Sequence, residues 1–524
     1  MENTAQMIQE LQDICARQAE QIADLSAKLS WYEEQYRLSQ QQRYGRKSEA
    51  GDGQLSIFNE PEKEVDLKAE EPTIEVATHQ RKKRGKNRED LSDLPTETIH
   101  YRLNEEELSC RTCGNDLHEM STEVRRELEI IPAEVKVVEH IRHIYACRAC
   151  ENEGTGTEII TAPMPKPAFP GSIASAGTVA HIISQKYVEG LPLYRQEKSL
   201  ERLGISISRQ NMANWMIKAA ENWLSPLYER FKFHLLQQKV LHADETELQV
   251  LKEDGRTAAN KSYFWLYVSG RDGPPLVIFD YQTTRASKHP IRFLAGFKGY
   301  MHVDGYAGYN SIPDVTLVGC WAHARRKFDE ALKALPADQK QADVPAKEAL
   351  KQINALFLLE REFKEISDKK RYTKRQELSR PLVDQFYEWL AFQRPRVLPK
   401  SAFGEAITYC FNQKEKLYHF LLDGRLEFDN NRAERFIKNF VIGRKNWLFA
   451  NTARGATASA ILYSMTETAK ENGLSPYAYL KYLLEQLPNV DLENPDVLDR
   501  LMPWSGELPA LCRGGKPGNQ AQTG

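Results

Sequence analysis

The chain has 524 residues, with 71 Lys or Arg against 73 Asp or Glu, so its formal net charge is -2. This balance excludes a protein that binds nucleic acid through an overall positive charge, so any such binding must depend on local basic clusters. No apolar run approaches the roughly 18 residues of a membrane span, and the polar N-terminus does not resemble a secretory signal. These features predict a cytoplasmic protein of several domains, with no membrane partner and no disulfides.

An apolar heptad pattern runs through residues 1–48. Its positions follow one another in alternating steps of four and three residues: Thr4, Ile8, Leu11, Cys15, Gln18, Ile22, Leu25, Leu29, Tyr32 and Tyr36. Such spacing is typical of a coiled coil, in which a polar residue such as Gln18 fixes the register. We therefore predict a homo-oligomer assembled through this helix, with a single amphipathic helix packed on its own domain as the alternative.

Residues 49–98 lack periodicity and are predicted to form a disordered, charged linker. An acidic stretch over residues 60–71 precedes a basic run that contains Arg81, Lys82, Lys83 and Arg84. Such a run cannot bury itself. It is either a solvated segment or an arm that contacts DNA phosphates, and the sequence leaves both interpretations open.

Cysteines are concentrated in residues 99–162. They form two pairs, each with two intervening residues: Cys110 with Cys113, and Cys147 with Cys150. Four thiolates can hold one tetrahedral zinc ion and leave no open position for catalysis. A strand pattern over residues 135–143 lies between the pairs. We predict a zinc-ribbon-like module with one structural Zn²⁺, against the alternative of four free thiols in a core.

A proline-rich connector over residues 162–171 separates this module from a helical segment, residues 172–236. One helix is predicted over residues 191–203, Gly204 breaks it, and Ser208 caps the next. A helix, a short turn and a second helix are typical of a helix-turn-helix, although any helical hairpin has the same pattern. The polar residues of the second helix that would contact DNA are Arg209, Asn211 and Asn214.

Residues 237–455 are predicted to form the catalytic domain. Short, aliphatic and aromatic strand patterns lie at residues 240–250, 262–269, 276–281, 300–303 and 315–318, with a helix near 287–297. Residues from about 325 to 420 form a charged, wholly helical pattern. A C-terminal helical segment is predicted over residues 456–504, and residues 505–524 are predicted to be disordered.

Two aspartates lie at strand positions, where their propensity is poor. Asp244 falls within the first predicted strand, and alternation puts it on one face with His242 while Glu245 points to the other. Asp304 ends a later strand and is followed by Gly305, which permits close approach of a substrate. Each aspartate alone has an ordinary explanation as an edge-strand or surface residue. Together they suggest one site on a small mixed sheet.

A third carboxylate, Glu434, lies near the start of a predicted helix that Asn430 or Asn431 caps. Glu434 borders an apolar arc formed by Ala433, Phe436, Ile437 and Phe440. Three basic residues around it suit phosphate contacts: Arg432, Arg435 and Lys438. Two strand carboxylates and one from a helix can hold two Mg²⁺ or Mn²⁺ ions. The alternative for Glu434 is a salt-bridged surface residue, which is common on helices.

These blocks carry a family resemblance. They are Asp244-Glu245-Thr246, Asp304-Gly305-Tyr306, the run Gly-Cys-Trp-Ala-His-Ala-Arg-Arg-Lys-Phe at residues 319–328, and Asp-Asn-Asn-Arg-Ala-Glu-Arg at residues 429–435. The chain resembles, to about residue 504, the transposase of the insertion-sequence sixty-six family. The resemblance implies a multidomain α+β protein with a ribonuclease-H-like α/β core and an all-helical insertion between Asp304 and Glu434. It also implies that Asp244, Asp304 and Glu434 form an acidic triad.

The resemblance implies the reaction and its partners as well. Water attacks the end of a mobile element, and the freed 3′ hydroxyl then attacks target DNA, with two Mg²⁺ or Mn²⁺ ions serving both steps. The DNA partners are terminal inverted repeats and target sites, the protein is nucleoid-associated when bound, and accessory proteins of the element are possible partners. Three residues at the start of a helix would bind phosphate or neutralise transition-state charge: His323, Arg325 and Arg326. For His323, a purely structural role is equally open.

Two other functions fit parts of the sequence. The first is a DNA-binding zinc regulator whose nuclease fold is inactive, which the three intact carboxylates disfavour. The second is a ribonuclease-H-like nuclease that cuts without joining, which the zinc module and the coiled coil disfavour. A transposase accounts for all of the segments together.

Overall fold

A computed structural model of the chain describes residues 135–146, 159–336 and 343–513, together with scattered helical residues between 18 and 37. The chain divides into two compact units, one of residues 1–47 and 164–513 and the other of residues 48–163 and 514–524. The four paired cysteines and the basic run at residues 81–84 lie outside the described residues. Within the described parts, no helix is both long and apolar enough to cross a membrane.

In the unit that contains the cysteine pairs, strands β1 (Ile144–Ala146) and β2 (Ile159–Thr161) form an antiparallel pair. The strand predicted over residues 135–143 is therefore wrong, because those residues have no regular structure and the strand begins at Ile144. Residues can join a sheet only where a partner backbone lies alongside. Here the partner β2 is three residues long, and among the described residues it pairs with β1 alone.

In the other unit, the part from residue 164 onwards starts with a group of helices. They are α1 (Ala176–Tyr187), α2 (Leu193–Arg202), α3 (Arg209–Lys218) and α4 (Ser225–Leu236), with a π-helical turn at Ala219–Leu224 between the last two. Gly204 follows α2 with φ +79°, a conformation that glycine adopts without strain. Ser208 caps α3 by accepting the backbone N–H of Asn211 at 3.2 Å. The predicted pair of helices and the break between them are confirmed.

A mixed sheet follows the helices. Its strands are β3 (Val240–Lys252), β4 (Lys261–Ser269), β5 (Val277–Gln282), β6 (Gly299–Val303) and β7 (Val315–Gly319). Their order is β5-β4-β3-β6-β7, with β3, β4 and β5 antiparallel and with β6 and β7 parallel to β3. Helix α5 (Lys288–Phe293) is shorter than predicted, because Gly296 at φ +90° turns the chain towards β6.

The rest of the chain is almost wholly helical. Between β7 and the Glu434 helix lie α6 (Trp321–Ala334), α7 (Pro345–Glu362), α8 (Asp368–Lys374), α9 (Arg380–Gln393), α10 (Ala402–Asn412) and α11 (Lys414–Tyr418). After them come α12 (Asn431–Trp447), the short strand β8 (Ala450–Thr452), α13 (Ala453–Glu471), α14 (Pro476–Gln486) and α15 (Pro495–Arg500). The disordered tail predicted from residue 505 is wrong for residues 505–513, because Leu508 and Cys512 are buried in the main apolar core. The helices from α7 to α11 form an insertion, and its apolar core is continuous with α6 and with Val318 of β7.

Aromatic packing and one buried arginine order the insertion. Trp321 stacks on Phe428 with ring centroids 5.4 Å apart and donates its indole N–H to the carbonyl of Leu417 at 2.9 Å. Arg375 is buried, forms a salt bridge to Glu360 at 2.7 Å and donates to three backbone carbonyls of residues 420–426. Because a buried guanidinium needs all of these acceptors, it holds the loop that leads into α12 in one conformation.

Helices α12 and α13 pack against the sheet. Phe440 of α12 lies 4.9 Å from Phe264 of β4 between ring centroids. Helix α13 covers the outer edge of β5, where Ser464 Oγ accepts the N–H of Phe279 at 2.9 Å and Thr468 Oγ1 accepts that of Val277 at 3.1 Å. These hydroxyls accept hydrogen bonds from backbone N–H groups that an edge strand would otherwise leave without a partner.

Candidate active site

The two strand aspartates follow paired positions of adjacent parallel strands. In the pairing of β3 with β6, His242 lies opposite His302. Asp244 lies two residues beyond His242, and Asp304 lies two residues beyond His302, just past the end of β6. The parallel register therefore brings the two aspartates side by side, although the sequence separates them widely.

The electrostatics of Asp244 indicate that the other two candidate carboxylates lie near it. Burial raises the pKa of Asp244 well above its usual range, and the negative charges of Glu245, Asp304 and Glu434 raise it further. Its Oδ1 accepts only the backbone N–H of the next residue, Glu245, at 2.8 Å among the hydrogen bonds of the described chain. Like charges held close together in a partly buried position are unfavourable unless protons or cations offset them.

Glu434 is brought to the strands by Asn430, the residue just before α12. Asn430 was predicted as a possible helix cap, but its side chain makes no capping bond. Its Nδ2 donates to the carbonyl of Ala243 at 2.9 Å, and its Oδ1 lies 3.0 Å from His242 Nδ1. Asp429 instead accepts the N–H of Asn431 at 3.0 Å. The buried Asn430 thus joins the start of α12 to β3, one residue from Asp244.

Two buried histidines support the aspartates. Their rings stack with centroids 4.4 Å apart and an angle of 11° between planes. Burial lowers the pKa of His242 to about 4 and that of His302 well below its usual value, so both are neutral at pH 7. Asn430 fixes the proton of His242 on Nδ1, because its own amide nitrogen is already donating. His302 Nε2 accepts the N–H of Glu427 at 3.1 Å.

The beginning of α6 supplies the groups that face Glu434. Arg326 Nη2 lies 3.3 Å from Glu434 Oε2, and His323 Nδ1 lies 3.7 Å from Glu434 Oε1. Both belong to the basic run that the sequence predicts for phosphate contact. Arg325 points elsewhere and donates to Asn354 of the insertion at 2.8 Å.

Two of the three basic residues on α12 pair with carboxylates other than Glu434. Arg432 pairs with Glu427 at 3.1 Å, and Arg435 pairs with Glu471 of α13 at 2.8 Å. Lys438 is exposed. The helical spacing placed these basic residues close to Glu434. It could not show that Arg432 and Arg435 pair with carboxylates from outside the helix.

Glu245 occupies the other face of β3, as the alternation predicted. Its buried carboxylate accepts Arg285 Nε at 2.8 Å and also the hydroxyl of Tyr309. The Arg285 guanidinium lies over the ring of Tyr306, 3.9 Å from its centroid. These contacts tie the segment after Asp304 to β3 from behind the site.

The insertion adds residues that the sequence did not indicate. Burial lowers the pKa of Lys416, which the negative charge of Asp304 opposes, so this half-buried ammonium lies near that carboxylate. Its Nζ donates to Asn310 Oδ1 at 2.7 Å. Gly305 packs closely against the insertion, because a Cβ there would lie 2.9 Å from Cε2 of Tyr409 and the tyrosine ring would have to shift. No local pattern links residues 409–416 to Asp304, so these contacts appear only in the folded chain.

Family comparisons match the same segments. The model described as Transposase IS66 family matches residues 171–458, more than half of the chain. The zinc-finger binding domain of transposase IS66 matches residues 107–151, which contain all four paired cysteines. The IS66 C-terminal element matches residues 464–504, and a model described as Transposase C of IS166 homeodomain matches residues 31–99.

Curated relatives from Sinorhizobium fredii agree with this assignment. Uncharacterized protein y4jD is 32% identical over 415 residues, which cover 76% of this chain and 78% of that protein. Uncharacterized protein y4hP is 31% identical over 415 residues, which cover 76% of this chain and 73% of that protein. With a family model over more than half of its length and relatives of this similarity, the chain belongs to the IS66 family of transposases, with that family's zinc-finger and C-terminal elements.

Proposed function

We propose that this transposase cleaves the ends of its mobile element and joins them to target DNA at a centre formed by Asp244, Asp304 and Glu434. The observation that carries the proposal is the convergence of these carboxylates, which burial and mutual repulsion make unfavourable without a counter-charge. Divalent-metal phosphodiester chemistry uses such a set of oxygen ligands.

The strand order supports a ribonuclease-H-like fold for the centre. Three antiparallel strands are followed by two parallel ones, and the first strand, β3, lies in the middle of the sheet. Asp244 is on that middle strand, Asp304 follows the neighbouring parallel strand, and Glu434 comes from a helix that packs on the sheet. The insertion, helices α7–α11, contributes no strand to this sheet.

The residues present fit divalent cations. The three carboxylates offer only oxygen ligands, which Mg²⁺ and Mn²⁺ prefer. Glu434 Oε1 is buried and accepts no hydrogen bond within the described residues, so an unused oxygen remains available as a ligand. When bound, two such ions would activate the attacking hydroxyl group and stabilise the leaving oxygen. We propose Asp244, Asp304 and Glu434 as the residues that hold them.

Side chains around the carboxylates would position the DNA. Arg326 beside Glu434 and Lys416 beside Asp304 supply positive charge on two sides of the centre. Both can bind non-bridging phosphate oxygens and offset the charge that builds up during displacement. Asn430 and His242 keep β3 and α12 at a fixed separation, so the carboxylates do not have to reorganise when DNA binds.

Recognition of the element's end is proposed for other segments. Arg209, Asn211 and Asn214 are exposed on α3, the second helix of the helix-turn-helix-like pair. The zinc-finger domain is the second proposed DNA-binding module, with Cys110, Cys113, Cys147 and Cys150 as ligands of one Zn²⁺. Exposed polar side chains on a helix of this kind suit base edges and phosphates.

Self-association is proposed through the N-terminal helix. The apolar heptad residues that are described there are helical and 62–65% exposed: Ile22, Leu25, Leu29, Tyr32 and Tyr36. A seam of this kind is stabilised when a second copy buries it. Two copies would also let one assembly hold both ends of an element.

One experiment tests the catalytic proposal. Purified protein is incubated with Mg²⁺, a labelled duplex that carries the element's terminal inverted repeat, and plasmid target, and cleaved and joined products are counted. We expect Asp244→Asn to lose both products while it still binds the duplex. Asp254→Asn, an exposed aspartate in the same hairpin, is the matched control and should behave like the unsubstituted protein.

Other outcomes identify the alternatives. Binding without any cleavage by the unsubstituted protein would overturn the proposal in favour of a DNA-binding regulator. Cleavage without joined product would favour a nuclease. Cleavage that survives Asp244→Asn would show that the catalytic carboxylates lie elsewhere.

A further inference from the structure

A thiol, an imidazole and a carboxylate meet where α6 begins, beside the proposed centre. Cys320 is the residue just before α6, and His323 lies three residues later on that helix. The sulfur of Cys320, a ring nitrogen of His323 and a carboxylate oxygen of Glu434 all lie within 4.8 Å of one another. Sulfur and nitrogen ligands favour Zn²⁺ and other thiophilic cations over Mg²⁺.

We propose that Cys320, His323 and Glu434 form a second metal site, for a thiophilic divalent cation such as Zn²⁺, and that its occupation inhibits the transposase. The site differs in chemistry from the all-oxygen set of Asp244, Asp304 and Glu434, yet it shares one ligand with it. A cation bound to Cys320 and His323 withdraws Glu434 from the strand aspartates. The inhibition, unlike the binding, rests on the proposed function.

The distances suit a four-coordinate ion. Zinc bonds of about 2.0–2.3 Å place tetrahedral ligand atoms roughly 3–4 Å apart. His323 Nδ1 and Glu434 Oε1 are already 3.7 Å apart. A small rotation of the side chains closes the remaining distance to the sulfur, and water supplies the fourth ligand. As the metal–sulfur bond forms, the thiol proton leaves to solvent, and no group changes its oxidation state.

The carboxylate of Glu434 is oriented for this exchange of partners. Its Oε2 lies 3.3 Å from Arg326 Nη2, whereas its buried Oε1 faces His323 and accepts no hydrogen bond within the described residues. The oxygen that lacks a donor is therefore the one on the side of the thiol and the imidazole. A cation there supplies the positive partner that this oxygen lacks.

The surroundings of Cys320 suit a bound thiolate. Its side chain is 1% exposed, and its sulfur accepts the backbone N–H of Asn430 at 3.2 Å. N–H donors to a metal-bound thiolate offset its negative charge and orient it. The same Asn430 joins α12 to β3, so metal binding at Cys320 acts directly on the element that carries Glu434.

The test uses full-length protein whose predicted four-cysteine module has been loaded with Zn²⁺. Co²⁺ is then titrated, since a cobalt–thiolate bond gives a charge-transfer band in the near ultraviolet. We expect one further equivalent of Co²⁺ with such a band in the unsubstituted protein, and its loss in Cys320→Ser. Cys512→Ser, a substitution at a buried cysteine in another part of the fold, is the control and should keep the band.

A second substitution distinguishes loss of the metal site from misfolding of the Cys320→Ser variant. His323→Asn leaves Cys320 in place, and we expect it to weaken Co²⁺ binding at least tenfold. Identical cobalt spectra for the unsubstituted protein, Cys320→Ser and His323→Asn would overturn the site. This readout does not require DNA cleavage, so it tests the metal site independently of the proposed reaction.

Inhibition is measured separately, as the Zn²⁺ concentration that halves Mg²⁺-dependent cleavage, relative to each protein's own activity. We expect that concentration to rise at least tenfold in Cys320→Ser and to stay unchanged in Cys512→Ser. Equal sensitivity of both variants and the unsubstituted protein would overturn the proposed competition for Glu434.

Discussion

The stacked rings of His242 and His302, 4.4 Å apart, join two parallel strands directly beneath Asp244 and Asp304. Both imidazoles are fully buried and neutral, and they bind elements outside the sheet through Asn430 and through the backbone of Glu427. A rigid, uncharged pair at this point holds the strand ends together without adding a fixed positive charge below the carboxylates. The stack therefore contributes to the geometry of the site, and its burial makes stability depend on pH.

The first prediction concerns that pH dependence. The folded pKa of His242 is about 4, below the value of about 6.5 in an unfolded chain. As the pH falls below 6.5, His242 becomes protonated in the unfolded state, whereas in the folded state it stays neutral until about pH 4. Each such histidine therefore removes stability in this window, with a slope of about 1.4 kcal/mol per pH unit. We expect His242→Asn to lower the slope of unfolding free energy against pH by the contribution of one proton. The contribution of His302 to that slope should remain.

Thermal or urea unfolding at a series of pH values between 6.5 and 4.5 measures this effect. His140→Asn, a substitution of an exposed histidine, is the control and should leave the slope unchanged. An unaltered slope in His242→Asn would contradict a neutral, buried His242.

A second prediction concerns Asn430. Asn430→Ala removes two buried hydrogen bonds between α12 and β3, at a cost of about 1–3 kcal/mol in unfolding free energy. Because Glu434 then loses its fixed distance from Asp244, we expect single-turnover cleavage to slow at least tenfold with little change in the Kd for DNA. Asn431→Ala, at the exposed neighbour, should retain the rate. A parallel loss of stability and Kd without a specific loss of rate would indicate a purely structural role.

The sequence predicted the parts of this site that depend on local pattern. Asp244 and Asp304 stand out as candidates by their unusual strand positions, and Glu434 by its place on an amphipathic helix. The stack of His242 on His302 was not predicted, because strand register between distant segments leaves no local signal. Of the two candidate caps, Asn430 or Asn431, it is Asn430 that occupies the N-cap position. Its side chain makes no capping bond, because it bonds to Ala243 and His242 of β3 instead.

Tertiary partners also decided the roles of the charged residues. Arg432 and Arg435 had the right spacing to surround Glu434, but Glu427 and Glu471 pair with them instead. The cation beside Asp304 is Lys416, from an insertion whose helical pattern carries no information about where it docks. The strand predicted over residues 135–143 failed for a similar reason, since alternation alone cannot supply a partner strand.

A third prediction tests the closed edge of the sheet. Ser464→Ala and Thr468→Val each leave a buried N–H of β5 without an acceptor. We expect each to lower the free energy of unfolding by about 1–3 kcal/mol, the cost of an unsatisfied buried group. Thr457→Val, at an exposed position of the same helix, is the matched control and should change it by less than about 0.5 kcal/mol. Equal effects of all three substitutions in urea unfolding would refute a specific role for the two buried hydroxyls.

The last prediction concerns Lys416, which connects the insertion to the chemistry. Its half-buried ammonium lies near Asp304 and is held by Asn310. If it binds a phosphate oxygen, Lys416→Met removes one charge-assisted contact, worth about 1.5–3 kcal/mol, and should slow cleavage at least tenfold. The slope of the logarithm of DNA affinity against the logarithm of salt concentration should become shallower by about one, which corresponds to one counterion fewer released on binding. Lys351→Met, whose native side chain is 82% exposed, is the control. Unchanged rate and salt slope in Lys416→Met would mean that the insertion serves only to support the fold around Asp304.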